Sequence, residues 1–195
     1  LFRSNLKKPN FVQMEYRLKK SLGQHFLKDE SICKQIVAAL KEDAFEQLVE
    51  VGPGAGALTK YLLPLENIAF KAVELDDEKV VFLEHTYPSM IGKIIHEDFL
   101  QIQTPFENQF TVVGNFPYNI STQIVFKVLE WKEQVPVMIG MFQKEVAMRI
   151  AAKAGDDAYG RLSILSQWRC EATRMFDVNK SAFTPPPRRL AQRRL

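Results

Sequence analysis

Two cysteines and three histidines are the only thiol and imidazole ligands in this 195-residue chain, and they do not cluster. Cys33 and Cys170 lie far apart and fit no metal or redox spacing, so they read as thiols buried in a reducing, cytoplasmic compartment. His25, His85 and His96 are scattered too, with no cysteine or carboxylate at ligand spacing, and no metal is expected. No uninterrupted apolar run reaches the roughly 18 residues of a membrane span. The stretch from Leu1 to Lys20 lacks the compact apolar core of a secretory signal. Internal repeats and low-complexity tracts are also missing. What is present is an apolar fraction of 46% with 14 phenylalanines, enough for the core of one α/β domain and little more. A monomer is expected, since no apolar interface pattern stands out.

The net charge of +3 conceals an uneven distribution. Arg3, Lys7, Lys8, Arg17, Lys19, Lys20 and Lys28 face a single acid, Glu15, at the start of the chain, and Arg188, Arg189, Arg193 and Arg194 crowd its end. The body between is net acidic. Basic ends around an acidic body suit a polyanion gripped from the edges. On charge alone, solvated termini are the simpler explanation.

Apolar runs alternate with helical patterns, as in a parallel sheet covered on both faces. Short strands are expected at Leu48–Val51, Ile68–Leu75, Lys93–His96, Phe110–Val113 and Val137–Phe142. Helices are expected from Ser31, as cap, to Lys41, and at Ala57–Leu63, Asp77–His85, Thr122–Trp131 and Lys144–Lys153. Leu162–Cys170 and Thr173–Val178 would complete the sheet. Four polar segments each follow a strand's carboxyl end, the edge where open α/β sheets bind ligands.

The first is the turn Glu50-Val51-Gly52-Pro53-Gly54-Ala55-Gly56. Gly52, Gly54 and Gly56 permit a tight turn and close approach of backbone to ligand. Glu74, at the end of the second strand, can accept hydrogen bonds from both hydroxyls of a ribose. NAD and S-adenosylmethionine fit equally well so far. Asp98, after the third strand, accepts but cannot donate, which suits the exocyclic amino group of a cofactor's adenine. An acidic pocket of Glu50, Glu74 and Asp98 agrees better with a sulfonium than with a pyrophosphate.

Asn115-Phe116-Pro117-Tyr118 decides between them. The lone pair of adenine N6 is delocalised into the ring, and the nitrogen becomes nucleophilic when its hydrogens are held by acceptors. The Asn115 side-chain oxygen and the Phe116 carbonyl are such acceptors. Pro117 stiffens the backbone and adds no competing donor. Tyr118 offers a face for an extruded base, worth about 1–3 kcal/mol. An ordinary turn also favours Asn and Pro, but not behind Gly52, Glu74 and Asp98 in this order. Phe183, before Pro185-Pro186-Pro187, could hold its ring against the other face of the base.

Several long motifs now carry a resemblance: Lys20-Ser21-Leu22-Gly23-Gln24-His25-Phe26-Leu27, Glu50 to Gly54, Gly114 to Thr122, Gln143 to Ala147, Tyr159-Gly160-Arg161-Leu162-Ser163 and Phe183 to Pro187. From about Lys19 to Pro187 the chain resembles the KsgA/RsmA family of ribosomal small-subunit RNA adenine dimethyltransferases. The resemblance implies a Rossmann-like class I methyltransferase domain over residues 19–187, with a central, mostly parallel seven-stranded sheet and S-adenosyl-L-methionine as cofactor. It implies N6,N6-dimethylation of two adjacent adenosines near the 3′ end of small-subunit (16S) rRNA, with the immature small ribosomal subunit as partner. By the same resemblance His25, Leu27, Gly52, Gly54, Glu74, Asp98 and Asn115 would contact the cofactor. Asn115, Phe116, Pro117 and Tyr118 would hold the target adenine, and Phe183 would cover it.

The chain departs from the family pattern at three places. His25 stands where many members have Asn, and Phe116 replaces the commoner Leu. After Pro187 the family continues into a final strand and a small helical domain, whereas residues 188–195 form a basic tail, so that domain is expected to be missing. Residues 1–18 are set apart as a basic extension. The alternatives are an Erm-type large-subunit rRNA dimethyltransferase, a non-catalytic ribosome assembly factor and, most distantly, an NAD oxidoreductase.

Overall fold

A computed structural model describes residues 26–184 of the chain. Five strands form one parallel sheet: β2 (Gln47–Val51), β3 (Ala69–Val73), β4 (Ile94–Ile95), β5 (Thr111–Asn115) and β6 (Met138–Met141), in the order β4-β3-β2-β5-β6. β2 pairs in parallel with β3 on one side and β5 on the other, and β6 follows β5 in register, with Gly114 opposite Gly140. A separate antiparallel ribbon joins β1 (Phe26–Leu27) to β7 (Phe183–Thr184).

Both faces of the sheet are buried, as crossover helices require. Along β2, Leu48 enters a core with Leu40, Leu62 and Phe70, whereas Val49 and Val51 enter a second core with Phe110, Phe116 and Ile124. This is the two-residue alternation of a pleated strand. Helices α1 (Glu30–Leu40) and α2 (Thr59–Leu62) pack in the first core and α4 (Ser121–Glu130) in the second. α1 is capped by Asp29 rather than by Ser31: the Asp29 carboxylate accepts from the Ser31 N–H at 2.9 Å and from its hydroxyl at 2.6 Å.

Five strands, not seven, make up the sheet among the described residues. The stretch expected as a sixth strand is helix α6 (Arg161–Gln167), and residues 171–179 form no regular element. The apolar density of Leu162, Ile164 and Leu165 reads as a strand, yet the helix turns Ser163 and Ser166 inward and exposes Ile164 and Leu165. Ser163 secures it, accepting from the Gly160 N–H (3.0 Å) and donating to the Arg149 carbonyl at 2.6 Å on the preceding helix α5 (Lys144–Ala151). Ser31–Lys41, Asp77–His85 and Thr122–Trp131 match α1, α3 (Asp77–Thr86) and α4 within a few residues.

Candidate active site

The chain passes from β2 to β3 on one side of the sheet and returns to β5 on the other, so a crevice opens beyond the carboxyl ends of β2 and β5. A cavity of about 210 Å³ lies there. Its walls are Phe26 and Leu27, the turn Gly52–Ala55, Glu74, Asp98 to Leu100, and Asn115 to Ile120. Segments some ninety residues apart in sequence thus meet in one place.

The glycine turn is held open by backbone geometry that side chains resist. Gly52 and Gly54 adopt φ of 66° and 59°, in the left-handed region. A Cβ on Gly54 would press on the Phe26 ring at 3.3 Å. Glu74 fastens this turn from the neighbouring strand. Its Oε2 accepts from the Gly54 N–H at 3.2 Å, and its Oε1 accepts from the N–H groups of Leu75 and Asp76, both at 3.1 Å.

Glu50 has a different place from the one the sequence suggested. It does not line the cavity. Pleat parity puts it on the Leu48 side of β2, where Oε2 accepts from the Thr59 hydroxyl at 2.7 Å. Burial, reinforced by the Glu74 charge and opposed by the Thr59 bond, pushes its pKa up to about 8. Glu50 is therefore a mostly neutral support beneath the turn, and the cavity's acids are Glu74, Glu97 and Asp98.

Half-buried Asp98 opens a turn, its Oδ1 accepting from the Leu100 N–H at 2.9 Å. Asn115 is the last residue of β5, paired in register with Met141, and borders the cavity. Phe116 turns back into the core, buried at 1% exposure and packed edge-on against Phe142 at 5.3 Å. Glycines make room for it: a Cβ on Gly114 would stand 2.6 Å from the Val51 carbonyl oxygen and 2.7 Å from the Phe116 ring. A Cβ on Gly140 would overlap the same ring. With Phe116 anchored inward, the backbone of Asn115 and Pro117 is drawn to the cavity rim. The Pro117 ring packs near Gly52, and the Pro117 carbonyl accepts from the Ile120 N–H at 3.1 Å.

Tyr118 borders two spaces at once. It lines the 210 Å³ cavity and also a broad cleft of about 1640 Å³ on the β6 side. Burial raises its hydroxyl pKa, so the ring meets a ligand as a neutral phenol. Phe183 lines the cleft but not the cavity, and its ring is buried in the core beside Leu27 and Ala182. Its strand partner Leu27 does reach the cavity. His25, the triple-proline run and both basic ends lie outside the described residues.

The chain as a whole finds its counterpart in known proteins. The family model described as ribosomal RNA adenine dimethylase matches residues 15–189. The chain belongs to the ribosomal RNA adenine dimethylase family. It is 49% identical over 175 residues to ribosomal RNA small subunit methyltransferase A of Flavobacterium johnsoniae, covering 88% of this chain and 67% of that one. It is 48% identical over 174 residues to the protein of the same name in Parabacteroides distasonis, covering 87% and 64%. This chain thus spans about two thirds of the length of such relatives. Among solved structures, a dimethyladenosine transferase from Plasmodium falciparum superposes with a TM-score of 0.70 at 30% identity, covering 84% of this chain and 59% of that one. The 23S rRNA methyltransferase ErmE gives 0.69 at 26%, covering 84% and 65%. The Rossmann-like class I methyltransferase fold is therefore that of the dimethylase family.

Among the described residues no group of three or more His, Cys, Asp and Glu side chains could hold a metal ion, and no helix is long and apolar enough to cross a membrane. Sequence reasoning missed Phe26, Lys79 and Gly140. Phe26 and Lys79 line the cavity, while Gly140 acts through Phe116. The inward phase of Lys79, four residues before buried Leu83, was the one available signal for it.

Proposed function

We propose that this chain is the catalytic domain of a small-subunit rRNA adenine dimethyltransferase that uses S-adenosyl-L-methionine. Its substrate would be two adjacent adenosines near the 3′ end of 16S rRNA in the assembling small ribosomal subunit. The observation that carries this reading is Tyr118, common to the cavity and the broad cleft. A base stacked on that ring from the cleft side would bring its amino group towards Asn115 and the Phe116 carbonyl. The resemblance of the chain to small subunit methyltransferase A proteins, above that to ErmE, favours the small subunit as target.

The cavity suits the cofactor. Gly52 and Gly54, both at positive φ, shape the turn that borders it. Glu74 can accept from ribose hydroxyls and Asp98 from an adenine amino group. Lys79 is the only cation among the described lining residues, beside Glu74, Glu97 and Asp98, which fits a positively charged ligand better than a pyrophosphate. When bound, the cofactor supplies an activated methyl group on a sulfonium.

The protein's own part is orientation. Asn115 Oδ1 and the Phe116 carbonyl accept from the two N6 hydrogens and turn the nitrogen lone pair towards the cavity. Pro117 contributes no N–H to compete. Phe116, locked in the core, gives these acceptors a fixed origin, so catalysis is positioning and electrostatic preorganisation. Half-buried Tyr118 holds the ring plane.

The test supplies labelled S-adenosylmethionine with small and with large ribosomal subunits lacking the modification, in separate reactions, followed by mass spectrometry of the nucleosides. N6,N6-dimethyladenosine in small-subunit rRNA is the expected product. Label appearing only in large subunits would move the protein to the Erm type, and no label in either would sink the reading.

A further inference from the structure

Helix α3 carries Val80, Val81 and Phe82 beside Lys79, yet it turns the lysine inward. Lys79 is 6% exposed and Val81 58%. Burying an ammonium is costly unless it is paired, and turning a valine outward forfeits apolar burial as well. The Lys79 ammonium lies 3.9 Å from Glu74 Oε1 and 5.8 Å from the centre of the Phe26 ring, on the wall of the cavity. Glu74 itself is 6% exposed, so the pair is closed off from bulk water.

The consequence falls on Glu74. Its Oε1 already accepts two backbone N–H bonds and its Oε2 one, all between 3.1 and 3.2 Å. A carboxylate has about four lone-pair sites, and what remains faces a ligand only while the group is held still. A buried positive charge on one side restrains it, under a ring that stands where a Cβ on Gly54 would press.

We infer that Lys79 is a positioning residue for ribose recognition: held under the Phe26 ring, its ammonium pins the Glu74 carboxylate in the orientation that accepts the 2′-hydroxyl of the cofactor's ribose. This rests on the cofactor reading above and assigns a role to a residue outside every motif of the chain. A lysine that served only the fold would matter equally for any ligand of the cavity. A lysine that positions Glu74 matters only when the ligand carries that 2′-hydroxyl.

The test is calorimetric titration of the wild-type chain, Lys79→Met and Lys79→Gln with S-adenosylhomocysteine and with its 2′-deoxyribose analogue. Both variants are expected to bind S-adenosylhomocysteine roughly tenfold more weakly, since the 3.9 Å pair acts through charge and not through a hydrogen bond. Their affinity for the deoxy analogue should stay close to that of wild type. Lys79→Arg should restore part of the discrimination. Equal weakening for both ligands, or none for either, overturns the inference, as does loss of folding in both neutral variants. If the wild-type chain binds neither ligand, the cofactor reading fails, an outcome distinct from either pattern in the variants.

Discussion

The Phe116 ring occupies the space that a side chain at Gly140 would fill, and it does so across two neighbouring strands. Phe116 lies in the predicted base-holding segment, whereas Gly140 belongs to no motif. The glycine on β6 thus determines how deeply the residue after Asn115 can sink into the core.

Gly140→Ala should therefore destabilise the fold by about 1–3 kcal/mol through overpacking, visible as a lower midpoint of urea unfolding. Methyl transfer at a temperature where the variant is still folded should fall as well, because a displaced Phe116 carries Asn115 with it. Unchanged stability would mean the ring has another place to go.

Asn115→Ala removes one of the two proposed acceptors for N6. Loss of a preorganised hydrogen-bonding group typically costs about 10²–10³ in kcat. The expected result is a fall of that order in methyl transfer, measured in single turnovers, with ribosome binding retained. A variant that lost ribosome binding instead would point to Asn115 as a docking residue.

Tyr118→Ala should weaken productive RNA binding by about 1–3 kcal/mol, the value of one base stacked on an aromatic ring. Tyr118→Phe keeps the ring and should stay near wild type. If the phenylalanine variant fails too, the hydroxyl and not the face of the ring is what matters.

Glu50 makes stability depend on pH with a sign opposite to that of a salt-bridged acid. Its carboxyl is raised from the ordinary 4.5 to about 8 in the fold, chiefly by burial. The folded state thus holds a proton that the unfolded chain has released, and the stabilisation from this group is lost as pH climbs through that window. Glu50→Gln keeps the acceptor for Thr59 and removes the titration. Between pH 5 and about 8 the stability of wild type should decline relative to that of this variant; parallel curves from chemical denaturation would show that Glu50 titrates normally.

Much of the fold was legible because strands and helices announce themselves over a few residues. Leu48 to Val51 and Phe110 to Val113 read as apolar runs stopped by glycine, and they are β2 and β5. Gly52, Glu74, Asp98 and Asn115 were each placed at a strand's end, and in a parallel sheet all such ends lie on one edge. What failed was α6, where two inward serines carry the packing and the apolar residues stand outside. Local hydrophobicity cannot reveal which side a neighbour occupies.

The amino-acid sequence by itself determined the order of strands and helices from α1 to α5, the glycine turn and the set of acceptors at the sheet edge, since these depend on backbone freedom and short-range periodicity. Only the tertiary structure decided where the charges point. Pleat parity turned Glu50 towards Thr59 and away from the cavity, helix phase turned Lys79 towards Glu74, and strand register placed Phe116 over Gly140. Each of those outcomes rests on contact with a segment distant in the chain. No local pattern encodes such a contact, because its free energy exists only once both partners are buried together.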